Sequence, residues 1–141
     1  MTELSQTAAP PRLFRALADR TRLRIVNLLA RGSLCVCDIQ RILRQPQSSV
    51  SRHLALLKSA GLILDRRDGM RTFYRLAGWD APLARAVLAA IRAHLATGAD
   101  YGADIDELTR IKVNGDCHEE PKAWTAGRPA PRRCAGVRRE A

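Results

Sequence analysis

A chain of 141 residues has the size of one domain, and with 46% hydrophobic residues it carries enough apolar mass for a packed core. Only 4% of the residues are aromatic, so that core must be built from Leu, Ile, Val and Ala, and the formal charge of +10 favours a polyanionic partner. The first twenty residues lack the apolar stretch of a secretory signal, and no apolar run approaches the roughly 20 residues of a membrane span, so the chain is expected in the cytosol with its cysteines reduced.

Residues 1–10 form a polar, Ala-rich arm without periodicity. Pro11 to Ala18 reads as a helix with Leu13, Phe14 and Leu17 on one side. Asp19 and Thr21 are N-cap residue types and open a second helix. Its apolar positions Ile25, Val26 and Leu29 share one face, and Gly32 ends it. A short third helix runs from Asp38 to Arg44 with Ile39, Ile42 and Leu43 inward, and Gln45-Pro46 breaks it. A fourth follows from Gln47 to Ala60, its apolar Val50, Leu54 and Leu57 at helical spacing and Gly61 closing it.

The period then changes to that of strands, over 62–67 and 70–76. Asp68-Gly69 between them is a type I′ hairpin signal, because glycine takes positive φ without steric cost. Pro82 to Thr97 is an Ala/Leu/Val helix with proline near its first position, and 104–113 reads as a last helix. The expected fold is therefore mostly α with a small β-hairpin, ordered α-α-α-α-β-β-α with the extra C-terminal helix, and the domain is expected to end at 113. Residues 114–141 are read as a basic, disordered tail; half of the net charge, +5, lies between Pro121 and Ala141.

Two short helices, a turn and a basic hairpin in this order form a winged helix-turn-helix. With Val50, Leu54 and Leu57 inward, Gln47, Ser48, Ser49, Ser51 and Arg52 are left facing outward. Gln pairs bidentately with adenine, Arg with guanine, and Ser with bases or phosphates. His53 precedes core Leu54 and is read first as a helix-packing or phosphate-contacting residue. Arg66, Arg67, Arg71 and Arg75 surround the hairpin tip, as a wing contacting phosphate or a minor groove requires. The competing reading is a solvated polar helix beside an ordinary surface hairpin.

Together, Leu13-Phe14-Arg15-Ala16-Leu17-Ala18-Asp19-Arg20-Thr21-Arg22-Leu23-Arg24-Ile25, Leu34-Cys35-Val36-Cys37-Asp38, Ser49-Val50-Ser51-Arg52-His53-Leu54-Ala55-Leu56-Leu57, Ala60-Gly61-Leu62 and Gly69 to Leu76 resemble the ArsR/SmtB family of metal-sensing repressors. The resemblance spans about Arg12 to Leu76. It implies a homodimer joined through the first and the long C-terminal helices, binding double-stranded operator DNA and leaving it when an inducer binds. Pro46 departs from the pattern, standing where relatives often have a Ser N-cap.

Cys35-Val36-Cys37-Asp38 resembles the arsenic-responsive branch, whose thiolates at this place bind trivalent arsenic or antimony; no permanent cofactor is implied. A soft centre suits thiolates, and the positive end of a helix favours the thiolate form. On a regular helix, however, side chains at i and i+2 lie about 200° apart. Capture of one atom by both sulfurs is therefore expected to distort the start of the third helix and reposition the fourth. A third thiolate would come from Cys117 or Cys134, from either subunit, or be replaced by solvent or a small thiol. Alternatively, the cysteines are half-buried core residues or a thiol redox switch, or His118-Glu119-Glu120 beside Cys117 serves a zinc response.

Enzymatic readings are weak. The sequence has no Gly-rich phosphate loop, no H-E-x-x-H and no Ser-His-Asp set, and a redox dithiol usually reads C-x-x-C. The tail has only Trp124 to insert and no amphipathic period, which speaks against a membrane-surface protein.

Overall fold

The computed structural model describes residues 9–119, together with 121 and 124. Its elements follow the order α1 (Pro10–Leu17), α2 (Arg20–Leu29), β1 (Leu34–Cys35), α3 (Val36–Leu43), α4 (Gln47–Ser59), β2 (Ile63–Asp68), β3 (Arg71–Leu76), α5 (Pro82–His94) and α6 (Ala99–Val113). This is a winged helix-turn-helix. None of the described helices is long and apolar enough to cross a membrane.

Helix α2 begins where Asp19 caps it, its carboxylate accepting from the Arg22 backbone N–H at 3.0 Å. Helix α3 ends on Arg44, which adopts left-handed backbone (φ 53°), so the chain turns sharply before Pro46. Pro46 then serves as the N-cap of α4 without any side-chain bond, its carbonyl accepting from the N–H groups of Ser49 and Val50, both at 3.1 Å. The departure from the Ser N-cap thus leaves the helix start at Gln47.

The core is aliphatic. Leu13, Leu17, Ile25, Leu28, Ile39, Ile42, Val50, Leu54, Leu57, Leu62 and Ile63 form one buried cluster, joined by Trp79, whose indole N–H donates to the Leu62 carbonyl at 2.9 Å. Ile39, Ile42 and Leu43 of α3 lie in that cluster with Val50, Leu54 and Leu57 of α4, so the short helix is the floor on which the fourth rests.

Three features differ from the sequence expectation. The hairpin is part of a three-stranded antiparallel sheet of order β1-β3-β2, because Leu34 and Cys35 pair with Tyr74 and Phe73. Its loop is one residue later than expected: Asp68 pairs with Arg71, leaving Gly69-Met70 as the loop. Positive φ falls on Gly69 and not on Met70, which is the pattern of a type II′ turn rather than I′. Finally, α5 stops at His94, and α6 starts five residues earlier than expected, after Gly98 at φ 103°.

The packing also continues past Val113, where the composition changes. Cys117 contacts the main core, Pro121 is buried, and Trp124, 5% exposed, packs with Cys35 and Phe73.

Candidate metal centre and nucleic-acid interface

The N-terminus of α3 gathers the chemistry. Cys35 is simultaneously the last residue of β1 and the N-cap of α3, with extended backbone (φ −66°, ψ 146°), while Cys37 lies in the first helical turn. Because Cys35 stands outside the helix, the 200° separation of a regular i, i+2 pair does not apply. The two side chains meet with their Cα atoms 5.2 Å apart, and Cys35 Sγ also accepts from the Cys37 backbone N–H at 3.2 Å. No opening of the first turn is needed to bring the sulfurs together, which corrects the geometric objection raised by spacing alone.

The two sulfurs are joined as a disulfide, and Cys117 is disulfide-bonded as well, in contrast to the reduced thiols expected from the sequence. The proximity that lets one atom bridge the pair also lets the sulfurs bond to each other. Thiolate chemistry at this place therefore belongs to the reduced form of the chain.

Asp38, at 1% exposure, holds the next position. An acid in the first turn commonly serves its own helix cap. Here Asp38 Oδ2 accepts instead from the His118 backbone N–H at 3.1 Å and lies 3.2 Å from His118 Nδ1. The same Nδ1 is 3.4 Å from Cys37 Sγ. Cys35, Cys37, Asp38 and His118 thus place one donor atom each within 4.8 Å of one another. Cys117, the expected third thiolate, precedes His118 in the chain but is not in this cluster, and Cys134 lies outside the described residues. The Asp38–His118 contact spans 80 positions and carries no sequence signal; a histidine next to a candidate cysteine was the one visible hint.

Trp124 shares a buried cluster with Cys35 and Phe73. The Arg75 guanidinium stacks 4.7 Å above its ring and donates to its carbonyl at 3.4 Å. Arg75 is therefore turned to the C-terminal segment, whereas Arg66, Arg67 and Arg71 are exposed at the wing tip.

On α4, Gln47, Ser48, Ser51 and Arg52 are exposed. Ser49 is half-buried, its hydroxyl donating to Gln45 Oε1 at 3.3 Å. His53 is also half-buried, with Nδ1 3.5 Å from Asp19 Oδ2 and 3.4 Å from Arg22 Nη1, linking α4 to the start of α2. At the base of the wing, Lys58 forms an ion pair with Asp65 at 2.9 Å, and this hydrogen bond raises the lysine pKa. Burial pushes the neighbouring Tyr74 phenol above its ordinary range.

Residues 19–64 match the family model described as bacterial regulatory protein, arsR family. The chain is 56% identical over 68 residues to the arsenical resistance operon repressor of Escherichia coli K12, an alignment covering 48% of this chain and 58% of that protein. It is 48% identical over 63 residues to an HTH-type transcriptional regulator of Methanocaldococcus jannaschii, covering 44% of this chain and 71% of that one. Among solved structures, a Mycobacterium bovis domain described as a homodimeric winged helix-turn-helix DNA-binding domain superposes with a TM-score of 0.51 at 39% identity, over 61% of this chain and 81% of that one. The chain belongs to the ArsR family of helix-turn-helix transcriptional regulators, a non-enzymatic family.

Proposed function

We propose that this regulator is a homodimeric repressor that holds double-stranded operator DNA and releases it when trivalent arsenic or antimony binds the reduced Cys35 and Cys37. The observation that carries this reading is the position of the dithiol: Cys35 and Cys37 begin the helix on which α4 rests. Cys35 also belongs to the strand that pairs with Phe73 of the wing. An atom bound by both sulfurs therefore acts on the support of the recognition helix and on the wing at once, which is how a ligand biases a two-state element. The metalloid would supply a soft centre that prefers sulfur, and the names of the arsenic-resistance relatives agree with it.

DNA binding rests on the exposed Gln47, Ser48, Ser51 and Arg52 with Arg66, Arg67 and Arg71 beside them. Ser49 and His53 then position the helix through Gln45 and Asp19. The dimer rests on helices that leave apolar surface open. Phe14 of α1 is 50% exposed and Leu83 of α5 is 42% exposed, and α5 buries only Ala84 and Ile91 within its own protomer. A two-fold dimer reads a near-palindrome with half-sites about one helical turn apart, or a multiple of it.

The DNA part is tested by fluorescence anisotropy on a labelled copy of the chain's own promoter. Arg52→Ala is expected to weaken binding by about 1–3 kcal/mol and to relax one position of the footprint. An unchanged affinity and footprint would remove Arg52 from the interface.

The disulfide between Cys35 and Cys37 favours a second reading, in which oxidation is the signal. One peroxide molecule would take two electrons and two protons from the dithiol, giving the disulfide and two waters. Peroxide-driven release in the absence of arsenite supports this reading; DNA retained by the oxidised protein excludes it.

A further inference from the structure

We propose that Asp116, His118, Pro121 and Trp124 form a strap across the Cys35–Cys37 pair that closes it to reagents in solution, and that Arg75 of the wing is the anchor holding the strap shut. Such a strap governs access to the sulfurs whichever signal they answer, metalloid or oxidant, and so goes beyond the function proposed above.

The strap is fastened on both sides of the pair. On the α3 side, Asp116 forms an ion pair with Arg41 at 3.8 Å, and the His118 backbone N–H donates to the buried Asp38 carboxylate at 3.1 Å. His118 Nδ1 lies 3.4 Å from Cys37 Sγ. On the sheet side, Pro121 is buried, and its carbonyl accepts from the Trp124 N–H at 2.9 Å. There Trp124, Phe73 and Cys35 form a cluster with Cys37 packed against it, and Cys35 is left 1% exposed. Phe73 is held in the sheet by its pairing with Cys35 and Arg66, so Trp124 is the member of that cluster that can leave without breaking the sheet. Arg75 opposes its leaving twice, by stacking 4.7 Å from the ring and by donating to the Trp124 carbonyl at 3.4 Å. A few polar contacts and one ring are much less than what holds the helices together. The strap is therefore the part that opens locally, at less cost than unfolding the core.

Thiol–disulfide exchange needs direct approach of the attacking sulfur. Cys35 offers no approach while Trp124 is in place, and Cys37 is half-buried beside His118. With the strap lifted, a dithiothreitol thiolate bonds to Cys37 Sγ, the S–S bond breaks, and Cys35 leaves as a thiolate that takes a proton. The second sulfur of the reagent, as thiolate, then bonds to the first and displaces Cys37, which takes a proton in turn. The reagent ends as a cyclic disulfide, and two electrons and two protons have passed to the pair. A metalloid meeting the reduced pair faces the same strap before it reaches Cys35.

The experiment is a time course of dithiothreitol reduction of the oxidised full chain, quenched with iodoacetamide. Adducts on Cys35 and Cys37 are counted by mass spectrometry, which separates them from Cys117. The wild-type rate is expected to lie well below that of the chain unfolded in urea, and to stay flat in urea concentrations below the unfolding transition, as local opening does. Trp124→Ala is expected to speed reduction by at least about 10-fold, while Trp124→Phe, which keeps a ring for Arg75, stays within about threefold of the wild type. Arg75→Ala is expected to speed it by about 3- to 10-fold, and decides the matter if Trp124→Ala fails to fold. A wild type reduced as fast as the unfolded chain, a rate that climbs with urea from the first addition, or rates for Trp124→Ala and Arg75→Ala both within about twofold of the wild type overturns the proposal. Neither arsenite nor DNA is present, so a failed arsenite response leaves the strap standing, and an unprotected pair leaves the metalloid reading standing.

Discussion

Cys35→Ser is expected to yield a regulator that folds at least as well as the wild type, binds its promoter equally well, and no longer leaves it when arsenite is added. Cys35 is the N-cap of α3, its sulfur accepting from the Cys37 N–H at 3.2 Å. Serine is among the preferred residues there, so its buried hydroxyl keeps that partner and the helix is not weakened. The metalloid loses one of two linked thiolates, and the advantage of a second linked donor is about 10²–10⁴ in affinity. Cys37→Ser is expected to act the same way on arsenite, without the gain in capping. The check pairs thermal unfolding of the reduced variants with arsenite titration of their DNA complexes. Release of Cys35→Ser at wild-type arsenite concentrations would take Cys35 out of the inducer site.

Arg24→Ala is expected to cost about 3–5 kcal/mol of folding stability, a drop of roughly 10–20 °C in midpoint. Arg24 of α2 forms a two-pronged bond to Asp104 of α6, Nε to Oδ2 at 2.8 Å and Nη2 to Oδ1 at 2.7 Å. Asp104 is 3% exposed, so removing the guanidinium strands a buried carboxylate. The same hydrogen bond holds the Arg24 pKa above its ordinary value, leaving the guanidinium charged throughout the range in which the fold is stable. Replacing both partners, Arg24→Met with Asp104→Leu, is expected to recover most of the loss, because an apolar pair avoids the desolvation that the ions incur. Calorimetry of the single and double variants decides it; a single variant as stable as the wild type would show that water reaches Asp104. The pair also fixes α6, the helix that carries the chain to His118.

The DNA-facing half of the molecule was legible because its signals are local. Val50, Leu54 and Leu57 recur at helical spacing, Gly69 marks the hairpin, and Asp19 is a capping residue where a helix begins; each depends on neighbours a few positions away. What escaped has no local trace. Leu34-Cys35 is too short to display a strand period, and it is a strand only because Phe73 and Tyr74 lie beside it. The first turns of α6 were hidden by Gly98 and Gly102, which normally disfavour helix; at Gly102 a Cβ would come within 3.3 Å of the Thr97 backbone, so close packing explains the residue. The sensor end was half legible. Cys35 and Cys37 stood out as a pair, and the helix periodicity set them on opposite sides because the N-cap role of Cys35 is a tertiary fact. Asp38–His118 and Trp124–Cys35 join positions about 80 or more apart within a region whose composition reads as a tail.

Whether the dithiol at the start of α3 governs DNA release is decided by arsenite titration of the reduced wild type. The protein is bound to a fluorescent copy of its own promoter, and the free thiols are counted in parallel. DNA is expected to be released as two thiols per protomer become protected, and release ends when both are occupied. DNA that stays bound while Cys35 and Cys37 are fully protected by arsenite would contradict it.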